Sequence, residues 1–280
     1  MSPEPRVIAH RGFGGVFPEN TVGAAVAAAN HPQCDGVEID VHATADGDPV
    51  VFHDTRLGQR NDGTPGLTDA EGVLWETPTE TVTSAEVLDS GWHVPRLESL
   101  LEALPDGTSL TIELKNPGAP NVRPGAHLTP TERDAARKHW DPFIERVAES
   151  VAATDTRLDV RFASFCEAAV VAAAEYRHET APICIAANAE ATLEFAIEHG
   201  CAAVHADSEA ILGEYRGGPP AFDLLEVGHD AGLEIAGWTV KTWHDAQRFA
   251  DAGVDAITAD YPSLLAGTEH LPAFDDQPIG

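Results

Sequence analysis

The sequence predicts an α/β fold, a closed TIM-type (β/α)8 barrel with inserted loops after strands 2 and 3. Three observations lead there: eight short apolar, β-branched runs, alanine-rich helical patterns between them, and a length of 280 residues. Strands that alternate with helices form parallel β-α units, and eight such units close into a barrel of about 250 residues. An open doubly wound sheet would be expected to carry a Gly-x-Gly-x-x-Gly turn after its first strand, and none is present.

The strands read in order as RVIAH (6–10), GVEIDV (36–41), LTIEL (110–114), VRFAS (160–164), PICIA (182–186), AAVHA (202–206), EIAGWTV (234–240) and AITA (256–259). Helix starts are marked between them. Thr129-Pro130-Thr131-Glu132 supplies a capping hydroxyl, a proline at the first helical position and a glutamate at the third. Asp141-Pro142 should break one helix and start another, because proline lacks the N–H that would continue the ladder. Thr242-Trp243-His244-Asp245 repeats the capping pattern before the last helix.

Two connections are long. Residues 55–95 contain the turn-rich RNDGTPG before PRLESLLEAL resumes an amphipathic helix, and residues 116–129 are rich in proline and glycine. Both begin where a strand ends, which is where a parallel barrel places its binding loops. No repeat or linker divides the chain, so residues 1–280 read as one domain.

Acidic residues outnumber basic ones 46 to 17, a formal charge of −29, and only Lys115, Lys138 and Lys241 are lysines. Such a surface repels nucleic acid and anionic lipid. Solubility is the plain explanation; the scarcity of lysine favours a salt-rich cytoplasm, where a Debye length of about 3 Å at molar salt tolerates crowded carboxylates. Cys34, Cys166, Cys184 and Cys201 are scattered and read as buried free thiols rather than a disulfide framework or thiolate zinc site. MSPEPRVIAHRG lacks a basic segment followed by a long apolar one, and no uncharged run approaches the ~18 residues of a membrane span. The expected location is the cytoplasm, without integral membrane association.

The stretch GVEIDVHATADGDPVVFHD (36–54) carries the clearest chemistry. Alternate strand residues share a face, so Glu38, Asp40 and His42 point together, with roughly 6.6 Å between successive members. Val37, Ile39 and Val41 form the apolar opposite face. Inside a barrel an unpaired charge costs several kcal/mol, so two carboxylates there imply a cation or charge partners rather than a solvated edge.

LTIELKNPG repeats the device with Glu113 and Lys115 on one face. An internal ion pair explains that pair equally well alone, but Lys115 stands out in a chain that avoids lysine. Glu38, Asp40 and Glu113, with no histidine or cysteine cluster, suit one hard divalent ion, Mg²⁺ or Ca²⁺, rather than zinc. His10 closes the first strand beside Arg11, a planar clamp for phosphate or carboxylate, and His53 closes VVFHD. Either histidine alone would read as a packed core residue. Beside carboxylates and a lysine at the ends of the first three strand units, they become acid-base candidates.

The set HRG…FPENT, GVEIDVHATADGDPVVFHD, the Pro-Arg-Leu-Glu helix entry and IELK resembles the glycerophosphodiester phosphodiesterase family. SFC (164–166), GWTV (237–240) and GVDAITADYPSLL (253–265) are similar to that family's C-terminal half, so the resemblance spans nearly the whole chain. It implies a barrel with its site at the strands' C-terminal ends and metal-dependent hydrolysis of a small-molecule glycerophosphodiester to glycerol phosphate and an alcohol. On the matching positions it implies His10 and His53 as the acid-base pair and Arg11 on phosphate. Glu38, Asp40 and Glu113 would hold the ion, Lys115 would neutralise developing charge, and Phe165 and Trp238 would wall the glycerol side. Core packing is an equally good reading of Phe165.

Ala45 stands where the family usually has lysine, which fits the general avoidance of lysine. The proline- and glycine-rich loop after Lys115 follows no family pattern and leaves substrate choice open. Two rivals accompany this reading. A related barrel phospholipase acting on intact lipid is disfavoured by the charge of −29 and by the lack of a membrane-binding apolar segment. A noncatalytic phosphodiester-binding barrel is disfavoured by the intact set of histidines and carboxylates.

Overall fold

The computed structural model describes residues 4–120, 122, 128–213 and 220–265. Eleven strands occur among them: β1 (Arg6–Ala9), β2 (Gly36–Ala43), β3 (Pro49–Val51), β4 (Glu86–Val87), β5 (Trp92–His93), β6 (Ser109–Asn116), β7 (Asp159–Ser164), β8 (Glu179–Cys184), β9 (Ala203–Asp207), β10 (Glu234–Val240) and β11 (Ala256–Ala259). Eight of them, β1, β2 and β6 to β11, pair in parallel, and β1 joins both β2 and β11, which closes the barrel. All eight coincide with the apolar runs of the sequence. PICIA shifts: β8 starts at Glu179 and stops at Cys184, because the Ile185 N–H turns aside to the Asn188 side chain.

Alternation divides each strand between two cores. Val37, Ile39 and Val41 join Leu97, Leu100, Leu101, Ile112 and Trp140 in the main apolar layer between barrel and helices. The opposite face points into the barrel. There the register aligns Asp40 with Glu113, Glu113 with Ala163, and Ala163 with Ala181. Several inward residues of the later strands are small: Ala163, Ala181, Ala203, Ala236 and Ala256. A barrel of this strand number is ordinarily filled by branched side chains; alanines leave room for a cavity.

The N-terminal end of the barrel is closed by ion pairs. Arg161 lies 2.8 Å from Glu234 and 2.7 Å from Glu179, and Arg6 also pairs with Glu234. At the other end the 55–95 connection forms a separate small core of Leu57, Leu74, Val82, Val87 and Val94 against Val50 and Phe52 of the β3 segment. The sequence marked this segment only as a loop.

Thr129 caps the next helix as expected: its hydroxyl accepts from the Glu132 N–H, and the Glu132 carboxylate accepts from the Thr129 N–H. The expected break at Asp141-Pro142 does not occur. One helix runs Pro130–Ala153 straight through Pro142. Its buried stripe of Trp140, Phe143, Ile144, Val147 and Val151 extends across the proline, so packing outweighs the lost hydrogen bond. Residues 121 and 123–127 of the loop after β6 lie outside the described residues. Cys166, Cys184 and Cys201 are buried free thiols, whereas Cys34 is only half-buried, because its Sγ sits at the end of a loop and bonds to the Gly36 carbonyl. No helix among the described residues is long and apolar enough to cross a membrane.

Candidate active site

The barrel's C-terminal end holds a cavity of about 160 Å³ lined by His10, Arg11, Glu38, His53, Glu113 and Lys115 on one side. Phe165, Ile183 and Trp238 form the other side, with Thr111, His205 and Thr258 also lining it. Every site residue named from the sequence therefore lies in this lining except Asp40, which is fully buried directly behind it.

The His-Arg-Gly turn owes its sequence to backbone geometry. Arg11 and Gly12 both have positive φ, 52° and 74°, and a side chain at Gly12 would meet the Ala24 backbone at 2.8 Å. Glycine is the residue that tolerates both demands. The turn aims the Arg11 N–H at Glu38 Oε2, 3.0 Å away, and its guanidinium at Asp40 and Glu19, 3.2 and 2.7 Å away. Asn20, with φ 60°, holds Asp40 twice: its amide donates to Oδ2 at 2.8 Å, and its carbonyl oxygen accepts the Asp40 N–H.

Ligand oxygens of Glu38, Asp40 and Glu113 all lie within 4.8 Å of one another. Glu38 Oε1 is buried without a donor among the described residues. Lys115 Nζ reaches the other two, 3.1 Å from Asp40 and 2.7 Å from Glu113. Burial, then the neighbouring Asp40 and Glu113, push the Glu38 carboxyl well above the usual carboxylate range. Burial opposes charge on Asp40 too, yet Lys115, His53 and Arg11 hold its carboxyl well below that range. Three convergent carboxylates, one of them with an oxygen that no described donor reaches, fit a hard divalent cation.

Each histidine is braced by a carboxylate. His10 Nδ1 lies 2.6 Å from Asp260, which also receives Lys241 at 3.2 Å. His53 Nδ1 lies 3.1 Å from Asp54. Residues of the 55–95 connection hold Asp54, whose Oδ1 accepts the Asn61 N–H, with Arg60 at 3.6 Å from Oδ2. Burial lowers the His10 imidazole, partly offset by its hydrogen bond to Asp260. Phe165 and Trp238 meet edge to face with centroids 5.6 Å apart. Both are partly buried and line the cavity, so the core-packing reading of Phe165 is incomplete.

A family model described as the glycerophosphoryl diester phosphodiesterase family matches residues 10–264. The chain belongs to the glycerophosphoryl diester phosphodiesterase family. A glycerophosphodiester phosphodiesterase of Caldanaerobacter subterraneus subsp. tengcongensis is 27% identical over 274 residues, 92% of this chain and 95% of that protein. One from Bacillus altitudinis is 34% identical over 119 residues, 40% of this chain and 45% of its own length. The match thus spans under half of that relative. Among solved structures, an Oleispira antarctica phosphodiesterase in complex with its product sn-glycerol-3-phosphate has a TM-score of 0.73 at 24% identity, covering 94% of this chain and 97% of that one. A Thermotoga maritima glycerophosphodiester phosphodiesterase gives 0.64 at 19%, covering 94% and 97%. Both likenesses concern the fold.

Several side chains of this candidate site are not marked as site residues by the sequence alone. Glu19 and Asn20 sit within the quoted FPENT, and Asp260 within GVDAITADYPSLL, so their positions were on view without their partners. His205 and Thr258 carried no local mark, because an inward polar residue on a late strand looks like any other.

Proposed function

We propose that this protein hydrolyses glycerophosphodiesters to glycerol phosphate and an alcohol, with Glu38, Asp40 and Glu113 holding one divalent ion, Mg²⁺ or Ca²⁺. The observation that carries this reading is the convergence of the three carboxylates beside two braced histidines and two cationic side chains. A phosphodiester resists attack because its anionic oxygens repel nucleophiles. The ion supplies Lewis-acid stabilisation of that charge when bound, and Arg11 and Lys115 add fixed positive charge.

The glycerol hydroxyl next to the ester attacks phosphorus, the bond from phosphorus to the alcohol oxygen breaks, and a cyclic phosphate results. Water then opens the ring to glycerol phosphate. A tethered hydroxyl gains effective molarity of roughly 10⁵ to 10⁸ M when aligned. His10 and His53 move the protons, one taking the hydroxyl proton and the other supplying the departing alcohol. Phe165 and Trp238 wall the carbon side of the glycerol. The charge of −29 and three lysines support a setting in a salt-rich cytoplasm.

The test is release of glycerol phosphate from soluble glycerophosphodiesters in high-potassium buffer, with Mg²⁺, with Ca²⁺ and with chelator, alongside His10→Ala and His53→Ala. Metal-dependent release that falls by about 10²- to 10⁴-fold in each folded variant is expected. Full activity after exhaustive chelation would overturn the metal assignment, and near-normal variants would overturn the histidine roles.

A further inference from the structure

Beyond His53 lies a second hollow of about 200 Å³, which shares His53, Glu113, Lys115 and Phe165 with the first but includes neither His10 nor Arg11. A phosphodiester carries an organic group on each side of phosphorus, and the two hollows meet at the residues suited to hold its phosphate. We propose that the second hollow receives the alcohol of the substrate, and that His42 selects alcohols bearing a hydrogen-bond donor, a polyol rather than a quaternary ammonium. This inference rests on the diesterase reading above.

His42 lines the hollow and is 2% exposed. Its Nε2 lies 3.0 Å from the His53 carbonyl oxygen. A carbonyl can only accept, so Nε2 carries the hydrogen, and in the neutral ring Nδ1 is a bare acceptor. That atom is buried and has no partner among the described residues. A buried polar atom without a partner is uncommon in a native fold and calls for a group that completes it.

Other polar side chains on the same wall are already engaged. Asn116 Oδ1 accepts from the Gly118 and Ala119 N–H groups, and the Ser164 hydroxyl donates to the Leu114 carbonyl. Asn61 uses its Oδ1 for Thr55, leaving its amide hydrogens without a side-chain or backbone acceptor among the described residues. An open acceptor on His42 and an open donor on Asn61 together match hydroxyl groups, which both give and take a hydrogen bond.

A quaternary ammonium would need aromatic faces. Here Trp140 is 1% exposed, and the Phe165 ring is already set edge to face against Trp238.

The experiment compares kcat/KM on glycerophosphoglycerol and glycerophosphocholine with Mg²⁺-saturated enzyme, for the wild type, His42→Phe and Asn61→Ala. The expected wild-type preference for glycerophosphoglycerol is about tenfold, the scale of one net hydrogen bond. His42→Phe keeps a flat ring without the acceptor and should shrink the ratio toward one, chiefly by raising KM for the polyol substrate. Asn61→Ala, at the exposed rim, should shrink it in the same direction and serves if the buried variant misfolds. A purely structural His42 would depress both substrates alike and leave the ratio unchanged, which would overturn the inference, as would equal wild-type values. Absence of turnover on both diesters would overturn the diesterase reading and this inference with it.

Discussion

Lys115 Nζ sits between Asp40 and Glu113, 3.1 Å from one carboxylate and 2.7 Å from the other. One ammonium thus touches two of the three proposed metal ligands. Burial works against its charge, but Asp40 and Glu113 outweigh that and raise its affinity for the proton. The same carboxylates would serve lysine and ion together, so the two cations repel across a shared anchor. Replacement Lys115→Met should therefore tighten Mg²⁺ or Ca²⁺ binding while lowering kcat by about 10²-fold or more, since one stabiliser of developing charge is gone. Calorimetric titration beside steady-state kinetics would check both halves; weaker ion binding would mean that Lys115 orders the carboxylates instead.

Asp260 should act through His10. It fixes the ring by a 2.6 Å contact and is the carboxylate that raises an imidazole otherwise lowered by burial. In Asp260→Asn the raising influence weakens, so His10 releases its proton at lower pH. The pH limb that reports His10 should move acid, and kcat should fall about 10- to 100-fold with little change in KM. An unchanged pH profile would count against this positioning role.

A buried barrel histidine predicts acid sensitivity. His205 is buried, and desolvation, then Arg161, lower it from 6.5 to about 4. Between those values the unfolded chain binds a proton that the folded chain refuses. Stability therefore falls as pH drops from 6.5 toward 4, by up to about 3 kcal/mol from this group. His42 is lowered to about 4 as well, chiefly by burial, and adds in the same direction. In His205→Leu the loss between pH 7.5 and 4.5, measured by urea unfolding, should be smaller by about 1 to 3 kcal/mol. An identical acid loss in both proteins would rule this out.

Pro142 interrupts the hydrogen-bond ladder of a helix kept continuous by its buried face. Pro142→Ala restores a donor, and the gain in the fold should exceed the extra freedom given to the unfolded chain. An increase of about 1 to 3 kcal/mol in unfolding free energy is expected, with activity unchanged. Denaturant titration would detect it, and a loss of stability would show that the ring itself is needed for packing.

Much of this was legible because buried charge is rare. Glu38, Asp40 and Glu113 stood out from apolar strands, and the same strands announced the barrel by their β-branched runs. The Asp141-Pro142 break was misjudged because a local rule met a tertiary one: the stripe from Trp140 to Val151 is worth more than one backbone bond. Asp260 and His205 were illegible as site members because their importance lies in what they face. Asp260 meets His10 only through barrel closure, and a single strand end such as AITAD carries no trace of its partner. The 55–95 core escaped for another reason: its short pieces show neither helical nor strand periodicity, so the hold of this connection on Asp54 emerges only from the folded arrangement.

Barrel closure also sets an order of assembly. His10 stands just past the first strand and its brace Asp260 just past the last, 250 positions later. A chain growing from a ribosome presents Glu38, Asp40, Glu113 and both histidines long before the brace exists. The finished arrangement needs β11 beside β1, so the last barrel strand acts as a bolt that completes a site begun at the first.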